Sequence, residues 1–366
     1  MCYITRVRTK EYKDFSWKLH EKAGRKPIVA QMEITYGCPL HCRHCYTDCY
    51  NNQENKQKEL STGKVKRVLY KCKEAKTVWL CLTGGDPLTR RDFPEIYKYA
   101  KKLGFIINVF SSLTCVNKEI LELFKKQPPF GIETTLSAAT PETYKRVTGT
   151  SLFRKQIESI KKLTASNIEV RVKTQVTRLN IGEIDKIKSL VRSLGMDFRP
   201  STMLFAGLNH DTAPCDLRLE PEDAIRVNKG YGYYDEEIQP PGHKLKLEDM
   251  ITGPFDKLFS CATGGHAFQI SPRGEMFLCS CLRKPDYDLL EKGATVQKGF
   301  ESLNKKVHSM KFKTGSICRR CKYRMICKWC PGRAVLEKGA LEEPIEYFCC
   351  LTTEILRQHE KEKVEI

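Results

Sequence analysis

AQMEITYGCPLHCRHCY, residues 30–46, runs from a strand straight into a loop with three cysteines. Gln31, Glu33 and Thr35 alternate with Met32 and Ile34, the two-residue period of a strand with one polar face. Cys38, Cys42 and Cys45 follow at once. Three thiolates in one loop suit a metal or an iron–sulfur cluster, and three cysteines on a [4Fe-4S] cluster leave one iron open to a substrate or cofactor. Tetrahedral zinc with His41 or His44 as fourth ligand is the competing reading.

Outward from this loop, short strands alternate with helical stretches. Strands are expected at Ala30–Thr35, Thr77–Leu82, Phe105–Phe110, Gly131–Leu136, Ile168–Val176 and Met196–Ser201. Helices are expected over Ser61–Lys76, Asp92–Leu103 and Asn117–Lys126, each led by a capping residue, and over Pro141–Val147, Leu152–Ala165 and Ile181–Leu194. Gly104 and Gly195 stand where C-terminal glycine caps belong. Six β-then-α units predict a parallel sheet, closed or partly closed like a barrel, with the cysteine loop on its C-terminal rim. Strands packed on both faces should be continuously apolar, yet several here carry one polar face. The interior is therefore expected to be polar and ligand-filled, with Glu133, Arg171, Lys173, Gln175 and Arg199 facing inward.

The expected organisation is an N-terminal extension (1–27), the partial barrel (28–204), a linker (205–254) with a short helix at Glu220–Asn228, a Cys-rich domain (255–350) and a polar C-terminal helix (351–366). In the Cys-rich domain, Ala267–Ser271 and Glu275–Leu278 flank Pro272-Arg273-Gly274 and read as a β-hairpin.

The chain has 366 residues, 18 of them Cys, and a net charge of +19. Its aromatic content argues against disorder. The longest apolar runs are a few residues, such as Val78–Leu82, which excludes a membrane-spanning helix. The N-terminus lacks an apolar signal segment, so the chain reads as cytoplasmic. So many cysteines in that compartment point to metal or redox use rather than disulfides. The positive charge points to an acidic partner, or to lysines coating helix surfaces. Nucleic acid is disfavoured, because the basic residues come without aromatic stacking positions. Cys72, Cys81 and Cys115 read as small buried hydrophobes.

The spacing C-x3-C-x2-C after the first strand, followed by Tyr46, resembles the radical S-adenosylmethionine (radical SAM) superfamily. Thr83-Gly84-Gly85-Asp86-Pro87-Leu88, at the end of the second strand, resembles that family's SAM-binding motif, with Asp86 where Glu is usual. Where relatives usually show Thr-Asn-Gly after the third strand, this chain has Ser111-Ser112-Leu113. The resemblance implies that Cys38, Cys42 and Cys45 hold a [4Fe-4S] cluster whose open iron binds SAM. Reductive cleavage would then give a 5′-deoxyadenosyl radical that abstracts hydrogen from substrate. Gly84, Gly85, Asp86, Thr135 and Ser137 are the implied SAM contacts.

Cys261, Gly274, Cys279, Cys318-x2-Cys321-x5-Cys327-x2-Cys330 and Cys349-Cys350 resemble the family's SPASM extension. Structural zinc held by the two C-x2-C pairs, Cys318/Cys321 and Cys327/Cys330, is the reading on spacing alone. The resemblance implies two auxiliary [4Fe-4S] clusters, one on Cys318, Cys321, Cys327 and Cys349, the other on Cys261, Cys279 and Cys330. The fourth ligand of the second is open between Cys281, an exogenous ligand and the substrate, and Cys350 could replace Cys349. The implied function is a maturase acting on a ribosomally made peptide or protein, for which an acidic substrate would suit the charge. Implied partners are an external flavodoxin- or ferredoxin-like electron donor and a separate peptide-recognition protein. The alternative function is maturation of a tetrapyrrole or other redox cofactor.

Overall fold

The computed structural model describes residues 25–230, 251, 253–259 and 263–364. Most of the expected N-terminal extension, much of the linker, and Cys261 lie outside the described residues. Strands β1 (Val29–Glu33), β2 (Trp79–Thr83), β3 (Ile106–Phe110), β4 (Gly131–Thr135), β5 (Val170–Gln175) and β6 (Phe198–Ser201) pair in chain order, all parallel. Helices Thr62–Glu74, Phe93–Lys102, Lys118–Lys126, Phe153–Ala165 and Ile184–Ser193 return the chain between them, as parallel pairing demands. Met32, Leu80, Ile107 and Ile132 from the strands, with Val68, Tyr97, Phe124 and Ile160 from the helices, are fully buried. The opposite strand face is polar: β5 alternates buried Val170, Val172 and Thr174 with part-exposed Arg171, Lys173 and Gln175. The polar barrel interior expected from alternation is thus present, and Cys81 belongs to it, set near Glu133 and Lys173 rather than in the apolar core.

Local chemistry explains several helix ends. Asn117 accepts from the Ile120 amide, and Thr140 caps Pro141–Thr148. That helix ends at Gly149, whose φ of 72° favours glycine. Ser61 and Asp92 occupy the expected cap positions but make no capping hydrogen bond. The Asp92 carboxylate is drawn instead to the Arg90 guanidinium and the Thr62 hydroxyl.

The expected hairpin forms as β7 (Ala267–Ile270) and β8 (Glu275–Phe277), followed by β9 (Tyr287–Asp288). It does not stand apart from the barrel. β7 pairs parallel with β1, making, among the described residues, one nine-stranded sheet in the order β6-β5-β4-β3-β2-β1-β7-β8-β9. The Cys-rich region adds helices Val296–His308, Ile317–Arg320 and Pro331–Lys338, which the spacing reading left out. The C-terminal helix spans Glu346–Val364, starting early enough to carry Cys349 and Cys350.

Two ion pairs with low exposure fasten distant parts of the chain. Arg283 donates to both oxygens of Glu33 on β1 at 2.9 and 2.7 Å, with its guanidinium over the Phe277 ring. Arg218 donates to both oxygens of Glu337 at 2.8 and 2.6 Å and stacks on Tyr347 and Phe348. Removing one partner strands the other's charge out of water, at roughly 3–5 kcal/mol. Arg218→Met should therefore lower the urea unfolding midpoint sharply, and Arg218→Met with Glu337→Met should recover most of the loss. A single variant as stable as the parent would show that the pair holds nothing.

Candidate cofactor site at the strand ends

The cysteine loop leaves β1 and is splinted from several sides. Asn51 accepts from the Cys38 amide at 3.1 Å and donates to the Cys38 carbonyl at 3.0 Å. The His41 and Arg43 amides donate to the Thr148 and Val147 carbonyls at the end of Pro141–Thr148. The Cys45 amide donates back to the Cys42 carbonyl, closing a turn between the second and third cysteines. Burial, then the charges of Cys45 and Cys38, push the Cys42 thiol well up. Burial and then Asp86 do the same to Cys38. A group that holds these three as thiolates must bring positive charge, as iron does.

The second loop lies against the first. The Gly85 amide donates to the Thr35 carbonyl at 2.8 Å, and the Asp86 amide to the Gly37 carbonyl at 2.7 Å. Gly84 has φ +146°, and a Cβ there would sit 2.2 Å from the Thr35 carbonyl oxygen. A Cβ on Gly85 would sit 2.5 Å from the carbonyl oxygens of Tyr36 and Gly37. The two glycines are therefore demanded by backbone lying on backbone, which locks the glycine-rich loop to the cysteine loop.

Asp86 is fully buried. One carboxylate oxygen accepts from the Leu88 amide and the Ser111 hydroxyl, at 3.0 and 2.9 Å. The other accepts from the Ser112 amide and hydroxyl, at 2.9 and 2.5 Å. The two departures from the family's motifs, Asp86 and Ser111-Ser112, thus touch each other. Burial pushes the Asp86 carboxyl up, and these donors oppose it.

Thr135, at the end of β4, is exposed, whereas Ser137 is buried with its carbonyl held by Asn180. Below them Glu133 meets Lys173 and, at 3.7 Å, Arg199. Arg171 lies over the Phe130 ring. Gln175 donates to the Ser201 carbonyl at 2.8 Å. Among the described residues, the buried Tyr144 hydroxyl and His44 Nδ1 have no hydrogen-bond partner. Burial, then the charges of Cys42 and Cys38, raise the Tyr144 hydroxyl, and burial lowers His44 to about 4. A neutral, unprotonated His44 can accept but brings no charge.

The later cysteines gather in two groups. Burial and then Cys349, Cys327 and Cys321 raise the Cys318 thiol to about 11, and burial and then Cys327 and Cys321 raise Cys349. Cys349 and Cys350 are both exposed, and Cys349 is the one that couples to this group. Cys279, Cys281 and Cys330 form the second group. Arg324, between Cys321 and Cys327, is buried among the rings of Phe255, Phe312 and Trp329 and donates to the Leu258 carbonyl. Spacing gave no sign of it, since its three rings come from three separate segments. Among the described residues, no three His, Cys, Asp or Glu side chains close around the position of a single ion.

Residues 32–191 match the family model described as Radical SAM superfamily. The mycofactocin maturase MftC of Mycobacterium tuberculosis (strain CDC 1551 / Oshkosh) is 24% identical over 261 residues, covering 71% of this chain and 66% of that protein. The protein of the same name from Mycobacterium ulcerans (strain Agy99) is 23% identical over 262 residues, covering 69% and 68%. In fold the chain is similar to Streptococcus suis SuiB bound to its precursor peptide SuiA, with TM-score 0.67 and 15% identity over 93% of this chain and 82% of that one. It is also similar to anSMEcpe with bound AdoMet, with TM-score 0.65 and 14% identity over 93% and 99%.

Proposed function

We propose, on the premise that residues 32–191 belong to the radical SAM superfamily, that this chain cleaves SAM reductively and modifies a ribosomally made peptide or protein. The observation that carries this reading is the backbone junction between the cysteine loop and the Gly84–Asp86 loop at the ends of adjacent strands β1 and β2. Cys38, Cys42 and Cys45 would hold the first [4Fe-4S] cluster. Gly84, Gly85, Asp86, Thr135 and Ser137 would line the SAM position. When bound, cluster and SAM supply a carbon-centred radical able to take hydrogen from an unactivated C–H bond.

The chain's own part is orientation and shielding. The two glycines keep the loops in register, and Asp86 holds the Ser111-Ser112 turn against them. Tyr144, on the helix whose end holds the cysteine loop, and His44, within that loop, each carry a buried polar atom without a hydrogen-bond partner among the described residues. In the SPASM-like extension, Cys318, Cys321, Cys327 and Cys349 would hold one auxiliary cluster, and Cys279 and Cys330, with Cys261 outside the described residues, another.

A peptide substrate is supported by the names of the similar proteins, a maturase and an enzyme solved with its precursor peptide. An acidic substrate suits the net charge of +19 and an interior in which Arg171, Lys173 and Arg199 gather near Glu133. The electron would come from an external flavodoxin- or ferredoxin-like donor, and a cavity of about 500 Å³ beside Cys38, edged by Lys56 and Arg91, offers such a donor an approach. A separate peptide-recognition protein completes the proposed partners.

The test is anaerobic reconstitution. The parent should bind about twelve irons, and Cys38→Ala/Cys42→Ala/Cys45→Ala about eight. Dithionite with SAM should yield 5′-deoxyadenosine from the parent alone. Stoichiometric zinc in anaerobically purified protein, or no SAM cleavage by the iron-loaded parent, would overturn the reading.

A further inference from the structure

Ile317 and Met325 stand in solvent, 62% and 45% exposed; among the described residues the other large hydrophobics so exposed are Tyr70 and Ile251. Both lie in the short stretch that carries Cys318, Cys321 and Cys327. Helix Ile317–Arg320 advances about 6 Å from Ile317 to Cys321. The Arg324 amide then donates to the Cys321 carbonyl at 3.2 Å, a turn that holds its ends within about 7 Å. The two backbone positions are therefore no more than about 17 Å apart. That lies well inside the roughly 800 Å² that one partner gives to a standard interface.

The charge of this stretch is one-sided. From Lys311 to Lys328 the chain carries seven basic residues and no acidic one. Arg319 is paired with Asp256 at 3.0 Å, and Arg324 is buried among its rings. Lys311, Lys313, Arg320 and Lys322 are exposed. Arg320 donates to the Gly315 carbonyl at 3.4 Å, and Lys322 lies over the Tyr323 ring. Glu342, which also meets the stretch, is engaged by the Lys313 and Thr314 amides and the Thr314 hydroxyl. A nucleic-acid backbone would use the cations but not Ile317 and Met325. Charge for steering, with a small apolar contact that releases readily, suits a transient electron-transfer partner. Cys321 is part-exposed and Cys349 exposed, so a cluster held by Cys318, Cys321, Cys327 and Cys349 would lie close to whatever docks here.

We infer that this stretch docks an acidic one-electron carrier protein, with Arg320 and Lys322 steering it and Ile317 and Met325 making the apolar contact. A flavin carrier docked there, as the anionic hydroquinone, gives one electron to the oxidised cluster and becomes the neutral semiquinone. The cluster passes from [4Fe-4S]²⁺ to [4Fe-4S]⁺; no proton moves and no covalent bond forms. The inference rests on the reading that those four cysteines hold an auxiliary cluster. The stretch shares no residue with the cavity beside Cys38, so it gives the chain a second redox face.

The probe is a purified flavodoxin of net negative charge, titrated anaerobically by calorimetry into the full-length, iron-loaded protein. Arg320→Gln/Lys322→Gln should weaken binding about tenfold or more. That difference should vanish at ~1 M salt, where charges are screened beyond about 3 Å. Ile317→Ser/Met325→Ser should weaken binding at low and high salt alike. Both variants change exposed side chains and should keep the parent's iron content and its dithionite-driven yield of 5′-deoxyadenosine. A second measurement mixes flavodoxin hydroquinone with Cys38→Ala/Cys42→Ala/Cys45→Ala protein, in which only auxiliary clusters contribute. Bleaching of those clusters should slow by a similar factor when Arg320→Gln/Lys322→Gln is added. Parent-like affinity in both surface variants would overturn the inference. So would a parent that does not bind flavodoxin, or a loss of binding confined to Lys56→Gln/Arg91→Gln. Binding of poly-glutamate but not flavodoxin would assign the face to an acidic peptide and overturn it too. Almost no iron in the triple cysteine variant, read before any carrier is added, would instead overturn the auxiliary-cluster reading, and this inference with it.

Discussion

Cys42→Ala is expected to abolish reductive cleavage of SAM, while Cys321→Ala keeps some cleavage and loses product. Cys42 is the middle cysteine of a loop held by Asn51 on one side and the Val147 and Thr148 carbonyls on the other. Burial dominates its acidity. Replacing it by Ala leaves two thiols, too few to retain a cluster with a single open iron. Changes in partners one step removed from a metal typically cost about 10- to 100-fold. Loss of a direct ligand should exceed that, taking 5′-deoxyadenosine below detection. Cys321 lies in the separate group with Cys318, Cys327 and Cys349, so its loss should spare the SAM end of the protein. Chromatographic measurement of 5′-deoxyadenosine and of modified peptide in the same reaction separates the two effects. Wild-type yield from Cys42→Ala would remove Cys42 from the cluster.

The barrel was legible because its signals are local. Alternation in Ile168–Val176 placed Arg171, Lys173 and Gln175 on one face, and β5 shows that alternation residue by residue. The cysteine loop and the Gly84-Gly85 turn were legible because each follows a strand directly. What stayed hidden depends on segments distant in the chain. Glu33 was visible as a polar residue on the first strand, but its partner Arg283 is 250 residues away. Nothing in Ala267–Ile270 announces that it pairs with β1 rather than closing a separate hairpin domain. The helix Val296–His308 was within reach: Thr295 caps it, and Val296, Phe300, Leu303 and Val307 follow helical spacing. The density of cysteines around it drew the reading toward ligand spacing and away from periodicity.

The glycine-rich loop bears most directly on how Asp86 acts, and Asp86→Asn is expected to weaken SAM binding about 5- to 150-fold, roughly 1–3 kcal/mol. From sequence alone, two roles compete. Asp86 could pair with the SAM ammonium, or merely shape the turn before Pro87, where Asn would serve as well. The geometry removes the silent outcome. Each carboxylate oxygen accepts one backbone amide, Leu88 on one and Ser112 on the other. Whichever way an Asn amide turns, its NH2 faces an N–H that cannot rotate away. The loop that should flank SAM is then unlocked from Ser111-Ser112. All four acceptor positions of the carboxylate are already taken in the structure, so bracing the loop is the expected role. Ser112→Ala, which removes one brace, should weaken SAM binding in the same direction and by less. If the carboxylate instead meets the ammonium directly, Ser112→Ala frees a lone pair for it and binding should tighten. Asp86→Glu restores the family's usual residue, one methylene longer. With Ser111 and Ser112 hydrogen-bonded to a carboxylate of zero exposure, that methylene has to displace the turn, at about 1–3 kcal/mol. Glu should therefore bind SAM less tightly than the parent. Anaerobic titration of SAM into parent, Asn, Glu and Ser112→Ala proteins of equal iron content reads all four values. Unchanged affinity in the Asn protein would place Asp86 outside the SAM site.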